Sequence, residues 1–478
     1  MAPMSASDLI ALSPIIVVAA AAVAVMMLIA FSRSHILTVL LAVAGLGGSF
    51  FALFPAAGLI PREVTPLIVI DGYALFYMGL ILISGLIVGI LSYGYLDGRE
   101  GNSEEFYLLL LLAALGSMVL ASARHFVSFF LGLEVLSVSL YAMVAYVRTA
   151  DRSNEAGLKY LVLAGVSSAF LLFGMALVYA GLGTMEFARI AEKAPAEAGN
   201  PLVISGFVLT VVGIGFKLAL VPFHMWTPDV YEGAPAPVAA FIATVSKGAV
   251  FALLLRYLGV TDLQAYRPLF LIFSLLSIAS MLAGNLLALL QQNVKRILAY
   301  SSIAHLGYLL VAFLAGGGLA VTAVSYYLAA YFVTMLGAFG IVSLLSGKQG
   351  DADSLDDYRG LARERPWLAG IFTLMLLSLA GIPLTAGFVG KFYVVAAGAN
   401  SALWALVVIL AASSAIGLFY YLRIVAALFL PAVEKERPLR QVSFSGGFVM
   451  ACLVAALFWL GIYPSFLIEL IRASTVFR

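Results

Sequence analysis

The chain has 478 residues, of which 63% are hydrophobic and only 10% charged, and its formal net charge is +2. Soluble domains carry about 25% charged residues, so this composition excludes a soluble enzyme or binding module and indicates a polytopic helical membrane protein. Charge this close to balance, with no basic cluster beyond short loops, gives nucleic acid nothing to hold, and the one cysteine, Cys452, excludes an internal disulfide and any cysteine-ligated cluster or zinc site within the chain.

A spanning helix needs about 20 predominantly apolar residues. The apolar runs between polar breaks predict about fourteen, near 9–32, 35–55, 73–96, 105–123, 125–147, 157–182, 201–230, 237–258, 267–290, 295–316, 320–346, 366–395, 402–430 and 444–470. The first run has no Lys or Arg ahead of Arg33, so it lacks the basic flank of a signal peptide and reads as a true span. Loop by loop, one side collects Arg33, Arg99, Arg148, Arg152, Lys295, Arg296, Lys348, Arg359, Arg363, Arg365, Lys435, Arg437 and Arg440, and the other Arg62, Arg124, Arg189, Lys193, Arg256, Arg267, Arg472 and Arg478. The richer side is expected in the cytoplasm, which puts both termini on the non-cytoplasmic side. Lys159, Lys217, Lys247, Lys391 and Arg423 are left at membrane depth.

Two segments, 201–230 and 366–395, are too long for one straight crossing and carry prolines and glycines inside. Proline removes a backbone donor and clashes with the carbonyl four residues back, so Pro222 and Pro383 are expected to break these helices within the membrane. An offset of 165 residues carries the first broken segment onto the second, and carries 105–123, 125–147, 157–182 and 237–258 close to other predicted spans. Five helices thus map onto the next five, and an odd number turns the second unit upside down, giving the inverted repeat of secondary transporters. The expected organisation is a peripheral three-helix segment over 1–100, a first five-helix repeat over 105–260, a second, inverted repeat over 265–430 and a peripheral C-terminal helix within 431–478. Irregular backbone at membrane depth is tolerated only beside protein or water, so the breaks mark where a site belongs.

A cation at the centre of a spanning helix costs roughly 2.5 to 3.5 kcal/mol on insertion scales and usually lines a polar interior. Lys217 precedes Pro222, Lys391 follows Pro383, and Lys217 and Lys247 lie near mid-helix, where no interface is within reach of a snorkelling side chain. Lys159, at the start of its helix, reads equally as a snorkelling side chain or a relay. Glu134 is the one acid well inside a span and needs a cationic partner, for which Lys217 is the candidate. Pairing and unpairing such groups changes how tightly each holds a proton, a switch that needs no cofactor; a static pair that fixes helix register is the alternative.

His224 and His305 are the histidines expected at depth, each either a packing residue or a proton relay. Ser301, Ser302 and Tyr308 give His305 a hydroxyl-rich setting, whereas His35 and His125 sit at segment ends. Four scattered histidines demand no haem, and no metal site is expected. In chain order Glu134, Lys217, Lys247, His305 and Lys391 make a lateral row. Such a row suits protons better than sodium, because three lysines would repel a metal cation.

The stretch Pro222-Phe223-His224-Met225-Trp226-Thr227-Pro228-Asp229-Val230-Tyr231-Glu232-Gly233-Ala234-Pro235, with Ser246-Lys247, opens a recognisable series. It continues through Asn293-Val294-Lys295-Arg296-Ile297-Leu298-Ala299-Tyr300-Ser301-Ser302 with His305, and then Gly381-Ile382-Pro383-Leu384-Thr385-Ala386-Gly387-Phe388-Val389-Gly390-Lys391. Together with the helix count, the series resembles the proton-translocating, antiporter-like membrane subunits of respiratory complex I, the NADH-quinone oxidoreductase, over nearly the whole chain. Within that family, the Tyr-Glu-Gly-Ala-Pro run and the lysine at 391 look like the N type. The M type usually carries glutamate there, and the L type adds a long lateral helix for which a chain ending at Arg478 leaves no room.

The resemblance implies that Glu134 and Lys217 are a coupled pair, Lys247 the central relay and Lys391 the terminal proton site. It also implies that NADH, FMN, iron–sulfur clusters and quinone are handled by partner subunits, and that this chain binds no cofactor itself. Its neighbours would be other membrane subunits of complex I, antiporter-like ones included, and the lipids of a bacterial inner membrane. Consistently, the chain has no glycine-rich dinucleotide fingerprint after a strand. The competing functions are a subunit of a multisubunit cation/proton antiporter, which shares the broken helices and lysines, and a scaffold whose buried charges only fix packing.

Overall fold

The computed structural model describes residues 4–99, 101–259, 267–348, 350–432 and 442–474. Lys435, Arg437, Arg440 and Arg478, which entered the loop comparison, lie outside the described residues. Among the described residues thirteen helices are long and apolar enough to cross a membrane: Ala6–Phe31, His35–Ala57, Gly72–Leu96, Glu104–Ser122, Phe126–Val144, Asp151–Leu182, Pro201–Leu218, Ala236–Leu258, Arg267–Leu289, Val294–Ala315, Gly317–Leu345, Trp404–Phe429 and Phe444–Ile462. The remaining segment, 366–395, is present as two shorter helices, Pro366–Ala380 and Ala386–Asn400. The protein is thus a polytopic helical bundle, with one small exception to its all-α character: an antiparallel hairpin of Arg62–Thr65 and Ile68–Ile70.

Helix starts follow capping chemistry. Ser5 and Asp8 form a reciprocal capping box, Asp71 accepts from the Ala74 amide, and Asn293 accepts from the Arg296 amide. Each supplies an acceptor to an amide that the helix itself leaves free.

The core lies around Ala236–Leu258 and Val294–Ala315, whose most apolar 18-residue windows are 100% buried, with Gly317–Leu345 at 83%. The first two helices are only 28% buried and Phe444–Ile462 33%. Gly72–Leu96, expected at the periphery with the first two, is instead 61% buried. Its tyrosines explain the difference: Tyr73 donates to the Ala252 carbonyl at 2.8 Å, Tyr77 meets Ser325 at 2.9 Å and Tyr95 donates to Asp351 at 2.6 Å. Three polar anchors on one helix tie it to core elements.

Both described chain ends lie at one end of the bundle. Arg62 of the hairpin donates to Ser5 at 3.0 Å, and Gly72 packs against the backbone of Ser474 near the end of Ser465–Ser474. Arg124 joins the same end by pairing with Glu63 and Glu186. The opposite end gathers many of the cations of the richer loop set, including Arg99, Arg152, Lys295 and Arg296.

Two assignments of charge to depth change. Arg423 does not lie deep in the bundle; its guanidinium donates to the carbonyls of Leu289 and Gln291, where it caps the end of Arg267–Leu289. Lys295, placed in a loop by its sequence, is buried, with its side chain only 1% exposed, and pairs with Asp351 at 2.7 Å.

Candidate functional site

The first broken segment is Pro201–Leu218 followed by the half-helix Trp226–Gly233, with Pro222 in the seven residues between. Ala219 takes a left-handed conformation, φ 59°, which turns the chain out of the helix. The groups freed at the break find partners: Trp226 Nε1 donates to the Phe216 carbonyl at 2.9 Å, and the Val221 amide to Ser280 Oγ at 3.0 Å. Lys217 is therefore the penultimate helical residue, held against the break. Its Nζ donates to Ser137 Oγ at 2.6 Å and sits 5.6 and 5.4 Å from the ring centres of Tyr141 and Tyr160.

Glu134, one helical turn before Ser137, accepts from Ser168 at 2.5 Å. The expected direct ion pair with Lys217 is not formed among the described residues, although Glu134 lies one helical turn from the lysine's partner, Ser137. Each rests instead on a serine hydroxyl, Ser168 on the acid and Ser137 on the base. The pair is within electrostatic reach, yet neither group is locked to the other.

Lys247 follows a π-helical turn, Ile242–Ser246, inside the otherwise α-helical Ala236–Leu258. Single π turns insert one residue and recur at functional sites. This one adjusts the phase at which Lys247 leaves the helix. Lys247 Nζ donates to Ser302 Oγ at 2.7 Å, Tyr331 donates to the same oxygen at 2.8 Å, and the Tyr231 ring lies 5.3 Å away.

His305 uses both ring nitrogens, Nδ1 to the Tyr327 hydroxyl at 2.7 Å and Nε2 to the Tyr421 hydroxyl at 3.1 Å. The sequence had suggested Ser301, Ser302 and Tyr308 as its setting. Tyr308 does stand against the histidine, ring centres 5.4 Å apart, though its hydroxyl accepts from Asn285; Ser301 bonds the Tyr421 hydroxyl, and Ser302 serves Lys247 instead. A small cavity lined by His305, Tyr327, Tyr331, Ser378 and Lys391 joins the histidine to the last lysine.

The second break runs from Gly381 to Thr385 and contains Pro383. Gly381 sits at φ 87°, a conformation that costs glycine nothing. Lys391, on the far half-helix, reaches back across the break and donates to the freed Ala380 carbonyl at 2.8 Å and to Ser414 Oγ at 2.7 Å. Thus Lys217 flanks its break from before and Lys391 from after, and each of the three lysines, counting Lys247, rests on a serine hydroxyl.

Two expected relay residues lie apart from this row. His224 is buried in the first break with neither ring nitrogen hydrogen-bonded; the Pro222 carbonyl lies close without suitable alignment. Lys159 sits at the ionic end of the bundle, paired with Glu155 at 2.7 Å and Asp229 at 2.8 Å, its side chain 43% exposed.

Comparison with known proteins places this geometry. The family described as "NADH:quinone oxidoreductase/Mrp antiporter, TM" matches residues 123–417. NADH-quinone oxidoreductase subunit N of Ectopseudomonas mendocina (strain ymp) is 51% identical over 99% of this chain and 97% of its own length. The chain belongs to this family of antiporter-like membrane subunits. Within the family, a chain of respiratory complex I from Thermus thermophilus is 34% identical, with a TM-score of 0.84 over 96% of this chain and 100% of that one. A chain of the Mrp complex from Dietzia sp. DQ12-45-1b superposes with a TM-score of 0.87 over 98% of this chain and 97% of that one; at 20% identity it shows the shared fold alone.

The serine partners are what sequence reasoning missed. Ser137 carried a readable signal, since it lies three residues after Glu134 on the same helix face. Ser302 and Ser414 carried none that ties them to Lys247 and Lys391, because each contact crosses between helices, 55 residues along the chain for Ser302 and 23 for Ser414.

Proposed function

We propose that this chain is the non-redox, proton-translocating subunit of a bacterial NADH-quinone oxidoreductase, with Glu134, Lys217, Lys247, His305 and Lys391 as its proton path. Three lysines resting on neutral hydroxyls, Lys217 and Lys247 buried and Lys391 half-buried, carry this reading. A lysine clamped to a carboxylate holds its proton through the opposite charge, whereas one on a serine can give its proton up and take another with little rearrangement. Serine and tyrosine hydroxyls around each lysine accept and donate in turn, so they extend the path between titratable groups.

Glu134 supplies the control. Movement of its charge toward or away from Lys217 changes that lysine's hold on its proton, and the proton passes on toward Lys247. From there Ser302 and Tyr331 lead to the His305 cavity and on to Lys391. His305, bonded at both nitrogens, suits a relay that accepts at one and donates at the other. The driving energy comes from partner subunits that oxidise NADH and reduce quinone with FMN and iron–sulfur clusters. The chain resides in the bacterial inner membrane with both termini on the non-cytoplasmic face, in keeping with the cation-rich opposite end.

The test is proton uptake by vesicles holding the whole complex. Replacing Lys247 by methionine, in a complex shown to be assembled, is expected to abolish most of the proton uptake through this subunit; uptake at the unmodified level refutes the path. A preparation drawn gently from native membranes with this chain but no NADH-quinone reductase activity would instead favour the antiporter alternative.

A further inference from the structure

The half-helix Trp226–Gly233 serves two sets of partners. Trp226 and Tyr231 reach the lysine row. Trp226 stacks on Tyr160 with ring centres 4.8 Å apart, beside Lys217, while Tyr231 stands at Lys247 and meets Ser302 at 3.5 Å. Asp229 and Glu232, three residues apart, share an ionic face. Asp229 accepts from Lys159 at 2.8 Å and from Arg296 at 2.8 Å, and the same Arg296 nitrogen donates to Glu232 at 2.7 Å.

The flanking helices repeat this division. Asp151–Leu182 sends Lys159 to the ionic face and the next residue, Tyr160, to the lysine row. Val294–Ala315 sends Arg296 to the ionic face and Ser302 to the row. An eight-residue helix is not stable alone, and the break before it removes any continuity with Pro201–Leu218. Its position therefore comes from outside contacts. Gly233 sits so close to Asp151–Leu182 that an added Cβ would lie 2.4 Å from the Arg152 carbonyl oxygen, so this end of the half-helix is seated directly on that neighbour.

We infer that Lys159, Asp229, Arg296 and Glu232 form a clamp that fixes the half-helix between Lys217 and Lys247, with Asp229 and Arg296 as positioning residues for proton transfer. The inference rests on the lysine row being the proton path. The clamp is partly exposed, with Lys159 43%, Asp229 35% and Arg296 25% accessible, and exposed ion pairs add little stability. Its contribution is geometric. The Tyr231–Ser302 contact is already at the long limit of a hydrogen bond, so a small displacement of the half-helix makes or breaks a link next to Lys247.

The experiment compares Asp229→Asn and Asp229→Glu in the complete complex, reconstituted in vesicles, with protons taken up per NADH oxidised as the readout. Asp229→Asn is expected to lower that ratio about twofold or more, and Asp229→Glu, which keeps the carboxylate, to restore it. A purely structural role would change the amount of complex assembled but not the ratio, so a normal ratio in assembled Asp229→Asn overturns the clamp. Should that variant fail to assemble, Lys159→Gln removes the exposed arm of the same carboxylate. A lowered ratio is expected there too, and an unchanged one is equally fatal. Lys217→Met, run alongside, separates the two readings: if it also leaves the ratio untouched, the lysine row itself is at fault.

Discussion

Lysine is used in two ways in this bundle, and the partner marks the difference, not the burial. Lys217, Lys247 and Lys391 rest on Ser137, Ser302 and Ser414. Lys295 is as deeply buried as Lys217 and Lys247, yet it is held by Asp351 at 2.7 Å and by the Ala234 carbonyl at 2.7 Å. A carboxylate fixes charge in place and ties elements together, whereas a hydroxyl satisfies the ammonium group without committing it. The interior row is therefore suited to exchange, and the ionic end to anchoring.

The anchoring half of that contrast predicts the largest effect. Asp351→Asn leaves Lys295 buried without its counter-charge, and breaking a buried pair from one side costs about 3–5 kcal/mol. The unfolding midpoint of the subunit in detergent should fall sharply, while proton uptake per assembled complex stays normal; the reverse pattern would merge the two classes of lysine.

The pair also has a pH signature. Burial alone would raise the Asp351 carboxyl, but Lys295, with Tyr95 and Arg99, outweighs it and holds the group below its ordinary value. A carboxyl depressed in the folded state stabilises fully above its unfolded value, about 3.9, and the contribution is lost as pH falls through the folded value. Stability should thus be insensitive to this group from neutral pH down to about 4, and Lys295→Met should bring the acid loss to higher pH.

Next in size is the exchanging half. Lys247→Met removes the lysine from its step, and a positioned acid–base group is worth about 10²-fold or more in rate. Proton uptake should fall by that order with little change in unfolding midpoint. Ser302→Asp sharpens the comparison from the other side by giving Lys247 the partner that Lys295 has. A contacting carboxylate holds the lysine's proton, so uptake should drop about tenfold although the lysine is still present. Normal uptake in this variant would show that the hydroxyl is not what frees Lys247.

Much of this was legible in the sequence. The spans follow from apolar runs, and the two breaks coincide with Pro222 and Pro383 because proline's missing donor is a local property. Buried lysines stand out in an apolar sequence for the same reason. Lys295 misled because Asn293-Val294-Lys295-Arg296 reads as a helix start in a loop, and the partner that buries it, Asp351, lies 56 residues away. The depth of Gly72–Leu96 was hidden too, since its tyrosines bond to residues far along the chain. Serine is common in spans and carries no charge penalty, so nothing in the sequence separates Ser302 or Ser414 from a serine that bonds its own helix, such as Ser92 with the Val88 carbonyl.

The smallest predicted effect tests whether the two breaks are equivalent. Among the described residues Lys217 has a single hydrogen-bond partner, Ser137 Oγ, one helical turn from Glu134. Lys391 has two, since it also caps the Ala380 carbonyl, and no acid is paired with it among the described residues. Removing a hydroxyl partner costs about 1 kcal/mol where a replacement is at hand, and more where a buried donor is stranded. Ser414→Ala leaves Lys391 on Ala380 and should slow proton uptake only about fivefold or less. Ser137→Ala leaves Lys217 with no hydroxyl, and the direct approach of Glu134 becomes its remaining option. Adding Glu134→Gln should therefore deepen the Ser137→Ala defect and leave the Ser414→Ala defect unchanged, with uptake at fixed turnover as the measurement. Equal responses at both sites would mean that the acid acts on the whole row and not on the first break.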